Sequence, residues 1–294
     1  MLAAITVVLG WLSAYVPYLN VVLPAPAAIL IYRHGMAVGL TAWTVAVVLV
    51  GVLMGNIPGA AILALAGFIS AGLGQALRQR LPPGQVMVAA TLAAIVWLVL
   101  TLLGGMWLLG VNLVDTMFRA LEESARVSGE MYRRLGMSGE QIEQAREQMA
   151  ATVALLRVVA PAVFLASALT TAFANYWAVR AVLTRLGETL PWFSPFSRWR
   201  SSKLPALAML AGLALGSLAP QTSWLAPVSS NLFVVGLLGA MVQGFSLAWF
   251  WLERQQAGKL MKALVVLASF MFWPVLLALV LAGATDGWFN WRQL

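Results

Sequence analysis

The chain is 294 residues long, 62% hydrophobic and 10% charged, with a net charge of +8. Soluble domains carry about 25% charged residues, so the composition excludes an ordinary soluble domain and predicts an integral membrane protein whose first partner is the lipid bilayer. The absence of cysteine and the single histidine, His34, exclude disulfides, thiolate chemistry and Cys- or His-cluster metal centres.

A hydrocarbon core of roughly 30 Å takes about 20 apolar residues as helix. Met1 to about Tyr18 reads as a first span. The first cation of the chain is Arg33, so the basic region of a cleaved signal is missing. Leu23 to Tyr32 is apolar but short and opens with Pro24 and Pro26, residues tolerated in a first helical turn. Met36 to Met54 is a clean span, ended by Gly55-Asn56-Ile57-Pro58-Gly59. Gly59 to Leu77 follows, closed by Arg78 and Arg80, and Pro82-Pro83-Gly84 precedes the long apolar run Val86 to Leu109.

Residues 111–150 differ from everything around them. They hold seven of the chain's ten acids (Asp115, Glu122, Glu123, Glu130, Glu140, Glu143, Glu147) and five arginines (Arg119, Arg126, Arg133, Arg134, Arg146). Val114, Met117, Phe118, Leu121 and Ala125 recur at three- and four-residue steps, which makes one face of an amphipathic helix. Gly136 is a stop, and Ser138 with Gln141 resembles a capping box for a second helix that runs into the span Ala151 to Leu183. The alternating charges read as solvated pairs such as Glu122–Arg126 and Glu130–Arg134, not as acid–base chemistry. Residues 184–203 form a basic connector whose Trp192, Phe193, Phe196 and Trp199 suit the membrane interface. Leu204 to Leu218, Leu232 to Leu252 and Met261 to Ala282 are three further spans, followed by the interfacial tail Thr285 to Arg292.

The expected fold is all-α, a polytopic integral membrane helical bundle of eight full transmembrane helices plus one short helix. It divides into a six-helix module over 1–183, which includes the 111–150 excursion, the connector 184–203 and a three-helix block over 204–294. Cations fall at the ends of apolar runs rather than on one basic face, so no nucleic-acid partner is expected. Short loops rich in Lys and Arg stay inside. Arg33, Arg78 with Arg80, the connector, and Arg254, Lys259 and Lys262 share one side if the segment 23–32 crosses. The N-terminus is then cytoplasmic, and the excursion and C-terminus lie outside, in a multi-pass protein of the cell membrane. If 23–32 is re-entrant, only the N-terminus changes side.

Few polar residues fall within or beside spans. Arg157 stands near the start of one, where a cation either marks a watery cavity or snorkels to the interface. By the same threading Asn56 and Asn112 lie at outer helix ends and, with Arg157, are candidates to line an outward pocket for a small polar or anionic ligand. For each asparagine an ordinary helix-cap or turn role is the favoured reading. Asn175, Tyr176 and Gln243 read as structural interhelical hydrogen bonds. Gly10 with Ala14, Gly35 with Gly39, and Gly236 with Ala240 have the spacing of close helix contacts. No phosphate loop, serine elbow or HExxH is present, so neither an enzyme nor a cofactor is expected, and any driving energy would come from a separate ATPase.

Two stretches carry a resemblance. Pro24-Ala-Pro-Ala-Ala-Ile-Leu-Ile-Tyr-Arg33-His34-Gly35 with Gly39 resembles the opening of the YybS-like family of bacterial membrane proteins, a domain of unknown function. Gln243-Gly244-Phe-Ser-Leu-Ala-Trp-Phe-Trp-Leu-Glu-Arg254, with Lys259 and then Ala282-Gly283-Ala-Thr-Asp286-Gly-Trp288-Phe289-Asn290-Trp291-Arg292, resembles its ending. The chain departs at Asn290-Trp291, where the pattern has an acid and a phenylalanine. The N-terminal part of that family is similar to the substrate-binding S subunits of energy-coupling-factor transporters, which have six helices, a short second helix and an outward ligand pocket. The resemblance implies a small-molecule binding or transport component. The rival expectation is a non-transporting membrane scaffold or assembly protein for envelope or cytoplasmic partners. A polar outer cavity reaching Arg157 distinguishes the first, and a packed interior with an exposed Met117–Leu121 face the second.

Overall fold

The computed structural model describes residues 2–13, 15, 16, 19, 21–134, 136–199, 202–218, 220, 223–289, 291 and 292, and every regular element among them is helical. The helices are α1 (Leu2–Leu12), α2 (Ala25–His34), α3 (Met36–Met54), α4 (Ile57–Ala64), α5 (Gly67–Arg78), α6 (Pro83–Leu108), α7 (Leu113–Arg134), α8 (Gly139–Arg185), α9 (Leu204–Leu218), α10 (Leu225–Arg254), α11 (Lys259–Met271) and α12 (Trp273–Phe289), with a short 3-10 turn at Phe196–Arg198. Five runs are long and apolar enough to cross a membrane: Met36–Met54, Gly59–Arg78, Pro83–Leu108, Gly139–Arg185 and Leu225–Arg254. A sixth is reached if α11 and α12 are one broken span.

The expected eight full spans are therefore too many, for three reasons of length. The first apolar stretch yields an 11-residue α1, about 16 Å at 1.5 Å per residue. The 15 residues of α9 reach about 22 Å, short of the ~30 Å core. The expected span Met261 to Ala282 breaks at Phe272, whose backbone is extended, and α12 leaves α11 at 107°. Pro274 cannot donate a hydrogen bond back to Phe270, and it sits in the opening turn of α12, where a missing N–H is tolerated.

The chain divides into two compact units. The first comprises Met1–Ala154 and Ser167–Trp192. The short α2 lies at its centre, packed by α5, α3 and α1, and its small residues Ala25, Ala27 and Ala28 are buried with Ile29 and Ile31. Leu23, Ala27, Trp43, Val47, Ala60 and Ala66 form one apolar cluster, and Ile69, Ala94 and Ala168 another. Between α4 and α5 the helical ladder is interrupted, and Trp43 Nε1 donates to the Ala64 carbonyl at 2.9 Å. An aromatic N–H thus satisfies backbone that water cannot reach in lipid.

The charged excursion is a helical hairpin. α7 stops before Gly136, whose φ of 81° is the left-handed geometry glycine adopts most readily. The expected capping box forms: Gln141 N donates to Ser138 Oγ at 3.2 Å, and Ser138 N donates to Gln141 Oε1 at 3.0 Å. From this cap α8 runs for 47 residues into the apolar region, about 70 Å of helix. Arg126 Nε and Nη2 donate to the two carboxylate oxygens of Glu123, and these bonds hold the Glu123 carboxyl below its ordinary pKa. The side chains of the expected Glu130–Arg134 pair lie outside the described residues. On α7, Phe118 is buried while Met117 and Leu121 are 43% and 38% exposed.

The second unit comprises Leu155–Ala166 and Phe193–Leu294, with α10 packed by α9, α12 and the 3-10 turn. Gly236 lies against Met209 and Pro205 of α9, and Gly283 lies against Ala240 and Gly244, so a Cβ at Gly244 or Gly283 would meet the facing backbone. Small residues here let α10 and α12 touch main chain to main chain. The tail is not exposed throughout: Phe289 and Trp291 are, and Arg292 is not. Arg292 turns inward, is 4% exposed, and its Nη1 donates to the Ser197 carbonyl at 2.7 Å. The connector and the end of the tail are therefore in contact, whereas the expected threading sets the connector and the C-terminus on opposite faces of a ~30 Å layer.

Candidate functional site

Of the three residues expected to line a pocket, Asn56 and Asn112 each cap a helix. Asn56 is the N-cap of α4 and accepts a hydrogen bond from Gly59 N at 2.9 Å. Asn112 Oδ1 accepts from Val114 N at 3.1 Å and Asp115 N at 3.2 Å, which satisfies the free donors at the start of α7. Arg157 belongs to the second unit, while Asn56 and Asn112 belong to the first. Its side chain is exposed and engaged in an interaction.

Asn175 and Tyr176 are fully buried on α8. Asn175 Nδ2 donates to Val21 O at 2.6 Å and to Thr171 O at 2.9 Å, and its Oδ1 is buried without a hydrogen-bond partner. The Tyr176 hydroxyl donates to the Pro191 carbonyl. Ser70 Oγ donates to Pro24 O at 2.9 Å, just before α2 begins. Asn175 and Ser70 thus tie the backbone of residues 21–24, which precedes α2, into a surrounding apolar core.

Gln243 is the sequence-nominated residue with the richest surroundings. Its Nε2 donates to Asp286 Oδ2 at 2.5 Å. Arg292 Nη2 lies 3.3 Å from the same oxygen, and both charged side chains are 0% exposed. Arg292 Nη1 also donates to Ser246 Oγ at 3.0 Å, and that hydroxyl reaches the carbonyls of Phe196 at 2.6 Å and Trp199 at 2.7 Å. The guanidinium stands 6.0 Å from the Phe250 ring. Asp286 Oδ1 has no hydrogen-bond partner. The site is an ion pair sealed among α10, α12 and the connector, with one buried carboxylate oxygen that accepts no hydrogen bond.

A second feature of this unit lies at Pro161, inside α8. Here Asn231 of α10 inserts its carboxamide into the interrupted ladder. Ala162 N donates to Asn231 Oδ1 at 2.8 Å, and Asn231 Nδ2 donates to Val158 O and Pro227 O, each at 2.8 Å. The side chain thus stands in for the Ala162-to-Val158 backbone bond that the proline disturbs. An open groove of about 500 Å³ beside it is lined by apolar residues such as Leu165, Val228 and Val235. A depression of about 270 Å³ in the first unit is lined by Val47, Val48, Ile57 and Ala60 among others. Neither is lined by Asn56, Asn112 or Arg157. Among the described residues no group of three His, Asp or Glu is placed to hold a metal.

Sequence reasoning missed Asp286, Arg292 and Asn231 as partners. The signal was present in part, since Gln243, Gly244, Gly283, Asp286 and Arg292 all fall in the two stretches that carried the closing resemblance. Their convergence needs a tertiary contact across 43 residues.

A family model described as "Predicted membrane protein (DUF2232)" matches residues 4–287. No curated protein and no solved structure matches the chain. The family description carries neither a YybS-like name nor a likeness to transporter subunits.

Proposed function

The chain belongs to the DUF2232 family of predicted membrane proteins, and on that premise we propose that it is a membrane binding or transport component for a small polar solute, with the Asp286 site in place of the Arg157 pocket. One observation carries the reading: a carboxylate 0% exposed, paired with Arg292, still has an oxygen without a donor. Ionisable groups within a membrane bundle are costly and mark solute or ion paths. The open oxygen accepts a hydrogen-bond donor, so the solute class is an amine, amide or hydroxyl compound. Energy would come from a separate ATPase, and the protein itself is read as non-enzymatic.

The cell membrane is the proposed site, with the basic helix ends inside. Support comes from Arg33 and Glu188, which pair at 3.6 Å, and from Arg78, which donates to Ile31 O at 3.3 Å, so the ends of α2, α5 and α8 gather together. With the connector inside, the tail is inside as well.

The test compares the small molecules that copurify with wild-type, Asp286→Asn and Asn56→Ala proteins, using untargeted mass spectrometry. A compound lost only from Asp286→Asn supports the site. Identical profiles from three folded proteins would remove it. The scaffold reading is favoured by the exposed Met117 and Leu121 face. Photocrosslinkers at those positions that trap one defined protein at stoichiometric yield, with no solute in any profile, would establish it instead.

A further inference from the structure

Away from the Asp286 site, the end of the first unit where α2 and α5 finish holds an unusual density of cations. Arg33 Nη2 is 3.6 Å from Glu188 Oε1, and the Tyr32 hydroxyl donates to Glu188 Oε2 at 3.2 Å. Arg33 and Arg80 both act electrostatically on that hydroxyl. Arg78 is held alongside, its Nη1 donating to Ile31 O at 3.3 Å. Arg33 thus pairs with Glu188, Arg78 and Arg80 stand beside the same helix ends, and all three arginines are exposed. Arg80 holds a left-handed backbone with φ of 53°, uncommon for a residue that is not glycine.

We propose that Arg33, Arg78 and Arg80 form a binding site for the phosphodiester headgroup of an anionic phospholipid. The guanidinium fork matches phosphate oxygens two at a time. Glu188 balances one charge and leaves two. The cluster caps the apolar helices α2 and α5, and the adjoining start of α3 exposes Met36 at 36% and Val38 at 50%. A headgroup bound here has a surface for its acyl chains beside it, which a soluble anion would not use. Basic pockets between membrane helices recognise headgroups in this way.

The experiment uses detergent-purified full-length protein and native mass spectrometry, with phosphatidylglycerol and phosphatidylcholine of the same chains as probes. Phosphatidylglycerol should bind at least tenfold tighter. Arg33→Gln with Arg80→Gln should reduce its affinity about thirtyfold, from roughly a fivefold step per cation near a membrane surface. Glu188→Gln should raise it. Arg119→Gln with Arg146→Gln on the hairpin removes the same charge and should change nothing. Equal binding of the two lipids, an equal loss in the hairpin variant, or no gain with Glu188→Gln would overturn the proposal. Displacement of phosphatidylglycerol by millimolar inorganic phosphate would overturn it in favour of a soluble anion site.

Discussion

Arg292→Ala isolates the energetics of the buried pair. The guanidinium contacts Asp286 Oδ2 at 3.3 Å, Ser197 O at 2.7 Å and Ser246 Oγ at 3.0 Å. Truncation strands a carboxylate that no water reaches, with Gln243 Nε2 as its remaining donor. Removing one partner of a buried pair costs about 3–5 kcal/mol. At roughly 2–4 °C per kcal/mol, that loss lowers the unfolding midpoint by roughly 6–20 °C. The assay is thermal unfolding in detergent followed by intrinsic fluorescence, since the chain has 13 tryptophans. Most of the loss is the stranded charge, so Asp286→Asn added to Arg292→Ala should recover at least about 2 kcal/mol. Two results would refute this reasoning: a loss below about 1 kcal/mol in the single variant, or a double variant no more stable than the single one.

Three further outcomes are expected. Asn231→Leu unpairs Ala162 N and Val158 O within the layer and should cost about 1–3 kcal/mol per group, seen as faster amide exchange confined to residues near 158–162. Ser138→Ala removes the capping box and should cost about 1 kcal/mol, read as fraying of the first turn of α8 with the apolar part of that helix unchanged. Single cysteines test the threading, the native chain having none. Ser138→Cys should label from outside, and Ser202→Cys and Trp291→Cys only after permeabilisation. Labelling of positions 202 and 291 from opposite sides would contradict the tail–connector contact.

The sequence makes helix class and approximate positions legible because apolar length and punctuation are local properties. The long runs behind α3, α6, α8 and α10 were found in this way, and the Ser138–Gln141 box was readable from spacing. Helix breaks were not. Pro274 inside an apolar run is compatible with a tolerated proline in a continuous span and with the first turn of a new helix, and only packing decides between them. Arg292 looked interfacial because arginine beside tryptophan usually is. It is buried because Asp286, six residues earlier, turns inward with it. Asn56 and Asn112 were ambiguous for a related reason, since a cap and a ligand contact call for the same side chain.

The carboxamide of Asn231 has a consequence for how α8 and α10 can change. It acts as a splint, set across the interruption at Pro161 and fastened at its other end to its own helix through Pro227 O. An alanine at position 161 would let residue 162 reclaim its own rung and would idle the splint, while loss of Asn231 would leave the proline's gap open. Positions 161 and 231 therefore encode one choice between them, and variation at either should be tolerated only when the other follows.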